Sequence, residues 1–186
     1  KMSKTYVNYQ MVKNSKFMLI LLIDMLSSFK VKVTTHDKLE WLNMSELKQK
    51  MKSDPKPALI DLYTNWCYWC KVMDKKTYTN SKVIAYIKDH FYAVKLDAET
   101  KDIIEWKNSS YNYNENYKVN DFTMYVTSGQ PGFPTTVIFP DDHSDPISIQ
   151  GFLEPKELEP ILKYFGESAY KTESFEVFKT TFKSAW

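Results

Sequence analysis

The chain has 186 residues, of which 43% are hydrophobic and 16% aromatic, which suits one folded domain and excludes a disordered chain. The net charge is +2, and all 25 basic residues are lysines, interleaved with 23 acidic residues. Nucleic-acid recognition favours arginine and a clustered basic stripe, so we expect no nucleic-acid partner.

The first 30 residues have the order of a secretory signal, since lysines precede the apolar run 17–23 and two serines follow it. The run is shorter than the ~20 apolar residues that a membrane-spanning helix needs, and Asp24 interrupts it. We therefore expect residues 1–30 to be a signal peptide or an N-terminal apolar segment, and the protein to be periplasmic or otherwise exported. One alternative is an amphipathic N-terminal helix that belongs to the fold or anchors peripherally, and another is a cytoplasmic protein.

The segment after residue 31 begins the predicted domain, which extends to residue 167. Ser45 is a plausible cap for a helix that ends at Met51, and prolines break the chain soon afterwards. The nearly continuous apolar run Ala58–Tyr63 has the length of a strand that is buried on both faces of a sheet.

Helical patterns follow over 67–76 and 82–90, the second capped by Asn80 or Ser81. Residues 91–96 predict a second buried strand. The order of strand, helix and strand indicates parallel pairing with a right-handed crossover.

Residues 99–119 are less regular and rich in asparagine, serine and tyrosine, and we interpret them as an insertion. Tyr111 and Tyr113 alternate in a way that predicts a β-hairpin, and 121–126 predicts a short capped helix.

A third and a fourth strand are predicted over 135–139 and 146–149, joined as an antiparallel hairpin. Residues 154–166 predict a helix with one apolar face. The aromatic extension 168–186 is expected to pack on the domain as a short additional helix.

Cys67 and Cys70 directly follow a buried strand and begin a helix, whose unpaired N–H groups and partial positive charge stabilise a thiolate. Cys67 is the expected nucleophile, and Cys70, one turn inside the helix, is the expected resolving thiol. Half of a zinc site and a structural disulfide are the alternatives. Zinc would need two further ligands, whereas the three histidines are isolated, and so short a loop adds little stability.

The segments Asp61–Lys71 and Gly132–Thr136 resemble the active-site segment and the cis-proline loop of thioredoxins. Residues 63–67 and 152–167 resemble, in detail, a branch of secreted bacterial thioredoxin-related thiol-disulfide oxidoreductases that carry an insertion before the cis-proline loop. The resemblance covers about 56–166. It implies an α/β thioredoxin fold with a central mixed β-sheet flanked by helices, to which this chain adds the insertion and the extra C-terminal helix.

The resemblance also implies roles for two charged residues. Asp61, six positions before Cys67, corresponds to a buried aspartate that relays a proton to or from the resolving thiol. Lys95 corresponds to a lysine on the adjacent strand that pairs with this aspartate. A strand-end aspartate and a surface lysine are the alternatives.

Five further residues are expected to bind substrate. Trp66 corresponds to a tryptophan that covers the sulfurs, with an ordinary core tryptophan as the alternative. Pro134 is expected to be cis and to leave the Phe133 backbone free to pair with an extended substrate, with an ordinary turn proline as the alternative. Tyr68 and Trp69 replace the small or histidine-containing pair that relatives carry between the cysteines.

The implied function is that of a thiol-disulfide oxidoreductase, either a reductant or an isomerase. Its partners would be protein thiols and disulfides and an upstream electron donor. We expect no cofactor, no metal and a monomer. A non-catalytic binding module that uses the cis-proline groove and the aromatic insertion is the alternative. Because neither Tyr68 nor Trp69 adds a positive charge beside the thiolate, we expect a reducing centre.

Overall fold

The computed structural model describes residues 38–186, so the predicted signal segment 1–30 lies outside the described residues. The helices and strands are, in chain order, α1 (Met44–Ser53), β1 (Ala58–Tyr63), α2 (Tyr68–Lys76), α3 (Ser81–His90), β2 (Tyr92–Asp97), β3 (Ile104–Trp106), β4 (Ser109–Tyr111), β5 (Tyr113–Asn114), β6 (Val119–Asn120), α4 (Asp121–Val126), β7 (Thr135–Phe139), β8 (Ile147–Gln150), α5 (Pro155–Gly166) and α6 (Phe175–Thr181). No helix in this part of the chain is long and apolar enough to cross a membrane.

A four-stranded mixed sheet in the order β2-β1-β7-β8 forms the centre of the fold. β1 pairs in parallel with β2 and antiparallel with β7, and β8 adds an antiparallel edge. The first five residues of β1 and all of β7 are buried, as the apolar runs in the sequence predict. The predicted strands and their pairing directions are confirmed.

Side chains that alternate along the strands divide the core into two apolar layers. Ile60 of β1 faces the layer that contains α1, α4 and the segment between β2 and α4. Leu59 faces the opposite layer, which contains α2, α3, α5 and the C-terminal segment. Asp61 follows the alternation of Leu59 and therefore faces α2.

The segment between β2 and α4 contains two short hairpins, where the sequence predicted one. β3 pairs with β4, and β5 pairs with β6. Tyr111 and Tyr113 therefore belong to different hairpins. Asn112, between them, is part of neither hairpin, and its carbonyl accepts a hydrogen bond from the Asp121 N–H. Trp106 anchors the segment in the core against Phe122.

The first helix begins earlier than the sequence predicted, because Asn43 and not Ser45 caps it. Asn43 Oδ1 accepts a hydrogen bond from the Glu46 N–H, and the Glu46 carboxylate accepts one from the Asn43 N–H, at 2.9 and 2.8 Å. This reciprocal capping box satisfies two backbone donors at once. Ser45 lies inside the first turn of α1.

The C-terminal segment packs against α5 and α3 through aromatic side chains. Its end is held by the buried carboxylate of Glu159, which accepts hydrogen bonds from the Ser184 hydroxyl and from the Ala185 and Trp186 N–H groups. Trp186 also packs against Tyr86 of α3. These contacts lie in the apolar layer that also contains α2.

Candidate active site

Cys67 and Cys70 form a disulfide at the start of α2, with their Cα atoms 5.4 Å apart. The Cys67 N–H donates to the Thr64 carbonyl at 3.1 Å, which closes the turn between β1 and α2. Cys67 is the N-cap of the helix, and its Sγ accepts a hydrogen bond from the Cys70 N–H at 3.0 Å. Both cysteines are buried to a similar extent in the disulfide form. Their positions relative to the helix N-terminus therefore distinguish them, and their exposure does not.

Asp61 lies in the middle of β1 beneath α2 and is only 1% exposed. Its Oδ2 accepts a hydrogen bond from Lys95 Nζ at 2.8 Å, whereas its Oδ1 has no partner among the described residues. Burial raises the pKa of Asp61 from 3.8 to about 6, although the charge and hydrogen bond of Lys95 oppose the shift. A carboxyl group with this pKa can exchange a proton near neutral pH.

Lys95 joins Asp61 to a second acid, Asp74, which lies one helical turn after Cys70 on α2. The Lys95 ammonium also lies over the rings of Tyr63 and Trp41, at 4.9 and 5.3 Å from their centroids. Burial alone would lower the pKa of Lys95, but Asp61 and Asp74 outweigh it and raise this pKa. Lys95 therefore remains a cation between two carboxylates.

Three exposed aromatic side chains surround the disulfide: Trp66 is 67% exposed, Tyr68 70% and Trp69 54%. The Trp66 indole N–H donates to Glu99 Oε1 at 2.9 Å, and its ring packs edge-on against Phe133 at 5.9 Å. Trp66 is therefore fixed at the surface by two contacts, which argues against an ordinary core tryptophan.

An apolar groove of about 330 Å³ runs beside the motif, lined by Trp69, Phe133, Pro134, Gly151 and Phe152. The Phe133–Pro134 peptide bond is cis, as the sequence predicted. Trp69 stacks on Phe152 with 5.6 Å between ring centroids. Gly151 has φ +105° and donates its N–H to the Pro134 carbonyl at 2.8 Å, a backbone conformation that other residues rarely adopt.

The structure thus assembles the residues singled out from the sequence on two sides of the disulfide. Asp61 and Lys95 lie beneath α2, where Lys95 also pairs with Asp74, and the aromatic side chains of the motif lie at the surface. Sequence reasoning missed Asp74, Glu99 and Phe152. Of these, only Asp74 could have been found from the sequence, because a residue four positions after Cys70 lies on the same face of the helix. Within residues 38–186, no group of three or more histidine, cysteine, aspartate or glutamate side chains could hold a metal ion.

The order of strands, the flanking helices and the disulfide at a helix N-terminus define a thioredoxin-fold protein with a CxxC redox centre. The model of the family described as "Thioredox_DsbH: Protein of unknown function, DUF255" matches residues 21–168. The chain belongs to this family. The CxxC disulfide and this family together support a thiol-disulfide redox role.

Solved structures agree with the fold. One titled "DsbH Oxidoreductase" is 18% identical, with a TM-score of 0.52 over 75% of this chain and 92% of that one. A thioredoxin-fold protein from Helicobacter pylori is also 18% identical, with a TM-score of 0.52 over 67% of this chain and 78% of that one.

Curated relatives are much longer than this chain. The thiol:disulfide interchange protein DsbD of Campylobacter jejuni is 25% identical over 117 residues, which are 62% of this chain and 17% of that protein. An uncharacterized protein of Caenorhabditis elegans is 28% identical over 96 residues, which are 51% of this chain and 12% of that protein. The chain therefore spans less than a fifth of the length of either relative.

The raised pKa of Asp61 predicts how stability depends on pH. The Asp61 carboxyl binds its proton more tightly in the folded protein than in the unfolded chain. Its protonated form therefore contributes stability that is fully present below about pH 4 and is lost as the pH rises through about 6. We expect the oxidised Asp61→Asn variant to be more stable than the parent at pH 8, by about 2 to 3 kcal/mol, with the difference vanishing near pH 4. Urea unfolding across this pH range measures it.

Asp74→Asn is the matched control, because the Asp74 side chain also pairs with Lys95 but is 40% exposed, so that solvent screens this pair. This variant should change stability much less. An Asp61→Asn variant that is less stable than the parent at pH 8 would show that the ion pair with Lys95 outweighs burial.

Proposed function

We propose that this protein is a thiol-disulfide oxidoreductase that reduces or rearranges disulfides of protein substrates through Cys67 and Cys70. The observation that carries the proposal is the disulfide at the N-terminus of α2, flanked by the cis-proline loop and placed above a buried carboxyl group with a raised pKa. The name of the DsbD relative, a thiol:disulfide interchange protein, supports the same activity.

The first step is attack by the Cys67 thiolate on one sulfur of a substrate disulfide. A new S–S bond joins Cys67 to that sulfur, and the other substrate sulfur leaves as a thiolate that takes a proton from water. The helix N-terminus supports the attacking thiolate, because the Cys70 N–H points at Cys67 Sγ. The product is a mixed disulfide between Cys67 and the substrate.

The second step is attack by Cys70 on Cys67 Sγ. Cys70 gives up its proton, the bond between Cys67 and the substrate breaks, and the second substrate sulfur leaves as a thiolate. Asp61 is the proposed proton acceptor, since it lies beneath α2 with a pKa of about 6. The dithiol loses two electrons to the substrate and ends as the disulfide. An upstream dithiol donor must then reduce it again.

The aromatic surface is the proposed substrate site. Trp66, Tyr68 and Trp69 leave a large apolar area in solvent next to the disulfide. The Phe133 backbone next to the cis-proline could pair with an extended chain, as strands add to a sheet edge. An extended cysteine-containing segment of an unfolded or misfolded protein fits this arrangement.

We place this activity in an exported compartment such as the periplasm. The proposal rests on the signal-like order of residues 1–30 and on the match to DsbD. Disulfides of substrate proteins persist in oxidising compartments, so a reducing or isomerising protein has substrates there.

Insulin reduction tests the function. The reduced wild-type protein should reduce insulin disulfides in the presence of dithiothreitol, and Cys67→Ser should abolish this activity. Cys70→Ser should instead accumulate a mixed disulfide between Cys67 and an insulin chain, which mass spectrometry detects. Equal adduct formation by the Cys67→Ser and Cys70→Ser variants would contradict the assignment of Cys67 as the nucleophile.

The direction of electron flow can be tested separately through the reduction potential. α2 has no acidic or basic side chain within the CxxC motif, and Lys95 is occupied by Asp61 and Asp74. Without an added positive charge, the pKa of Cys67 should be nearer to about 7 than to about 3.5. The potential should lie closer to about −270 mV than to about −120 mV in glutathione equilibration. A value above about −150 mV would make the protein a disulfide donor.

A further inference from the structure

Four buried side-chain oxygens lie without a hydrogen-bond partner among residues 38–186. One is Thr64 Oγ1, in the turn between β1 and α2, and the other three belong to β1, β7 and the segment after α2. These three are Asp61 Oδ1, Thr136 Oγ1 and the Tyr78 hydroxyl. The three residues are no more than 5% exposed. Buried polar groups are nearly always hydrogen-bonded, so three such oxygens in one region require an explanation. None of the steps proposed above uses Thr136 or Tyr78.

The sheet register brings Thr136 next to Asp61. Thr136 of β7 lies directly opposite Asp61 of β1, and Lys95 of β2 lies opposite Asp61 on its other side. Directly opposite residues on paired strands have their side chains on the same face, with Cβ atoms ~5 Å apart. Lys95, Asp61 and Thr136 therefore form a row across three strands on the face that α2 covers.

Tyr78 closes the row from the helix layer. It follows the end of α2, and its ring packs edge-on against Trp41, over which Lys95 also lies. Burial and the charge of Asp61 raise the pKa of Tyr78 well above 10, while the neighbouring Thr136 hydroxyl acts in the opposite direction. Tyr78 therefore stays protonated and can act as a donor toward Thr136.

We propose that Tyr78 and Thr136 are positioning residues for Asp61, linked in a hydrogen-bonded chain that ends on the free carboxylate oxygen. In this chain the Tyr78 hydroxyl would donate to Thr136 Oγ1 and the Thr136 hydroxyl would donate to Asp61 Oδ1, so that the three oxygens without partners satisfy one another. A hydroxyl supplies one donor and two acceptor sites, so each group has the capacity that the chain requires. Lys95 remains on Oδ2, and both carboxylate oxygens are then satisfied.

The chain has a consequence for the proposed proton transfer, and in this respect it rests on the proposed function. Donors to a carboxylate stabilise its ionised form and lower its pKa. The charged and titratable groups around Asp61 are Lys95 from β2, Asp74 from α2, Tyr63 two residues further along β1, and Tyr78 after α2. Cys70 is buried on the same helix as Asp74. Tyr78 and Thr136 would keep the Asp61 carboxyl in one orientation and its pKa below the value that burial alone would give.

The test compares Thr136→Val, Tyr78→Phe and the double variant in the full chain. Carbon NMR of protein labelled at the aspartate carboxyl carbon gives the pKa of Asp61 in the oxidised form, with Asp61→Asn identifying the resonance. Thr136→Val should raise this pKa by about one pH unit. Tyr78→Phe should raise it less, because Tyr78 acts through Thr136. The double variant should have the same Asp61 pKa as Thr136→Val, since Tyr78 cannot influence Asp61 once the Thr136 hydroxyl is removed.

Two controls remove buried hydroxyls that do not face Asp61. Thr127→Val removes a hydroxyl that bonds to the Thr123 carbonyl at 2.7 Å, and Tyr164→Phe removes one that bonds to the Glu173 carbonyl at 2.7 Å. Both should leave the pKa of Asp61 unchanged. An unchanged pKa in Thr136→Val, or additive shifts in the double variant, would overturn the proposal.

A functional measurement accompanies the titration. The pH midpoint for resolution of the mixed disulfide should move upward with the pKa of Asp61 in Thr136→Val and stay fixed in both controls. The titration uses the oxidised protein without substrate. If Thr136→Val raises the pKa of Asp61 but the wild-type protein reduces no disulfide, the proposed function is contradicted and the hydrogen-bonded chain is still supported.

Discussion

The burial of one carboxylate beneath the redox-active helix is the constraint on which the site depends. A charge removed from water is costly unless it is paired and hydrogen-bonded. Asp61 meets this requirement in part, because Lys95 bonds to its Oδ2, whereas Thr136 lies opposite it on β7 without a hydrogen bond to Oδ1. The partial pairing leaves its pKa near 6, where the proton can move at physiological pH. The same burial that disfavours the ionised form thus suits the group to acid-base chemistry.

The other parts of the site are organised around α2. The disulfide lies at its N-terminus, Asp74 near its C-terminal end pairs with Lys95, and Tyr78 follows its end. The Asp61 carboxyl therefore lies in the interior, whereas the aromatic side chains around the motif face solvent. In the proposed mechanism, this separation lets a substrate chain reach Cys67 from the apolar groove while proton transfer to Asp61 takes place on the buried side.

The sequence predicted most of the fold, because β1 and β7 are buried on both faces and read as apolar runs. It also predicted the pairing of Asp61 with Lys95 through the resemblance to thioredoxins. It missed Asn43 as a cap, because both Asn43 and Ser45 are good capping residues and only the Glu46 contact decides between them. Glu99 and Phe152 are fixed by tertiary contacts to Trp66 and Trp69, and no local pattern reports such contacts.

The central claim is that Asp61 serves Cys70 and not Cys67, and the reaction of the reduced protein with an aromatic disulfide such as Ellman's reagent tests it most directly. The first coloured thiolate released reports attack by Cys67, and the second reports resolution by Cys70. Asp61→Asn should leave the first phase nearly unchanged and slow the second by about 100-fold. A second phase as fast as that of the wild type, or equal slowing of both phases, would contradict the account.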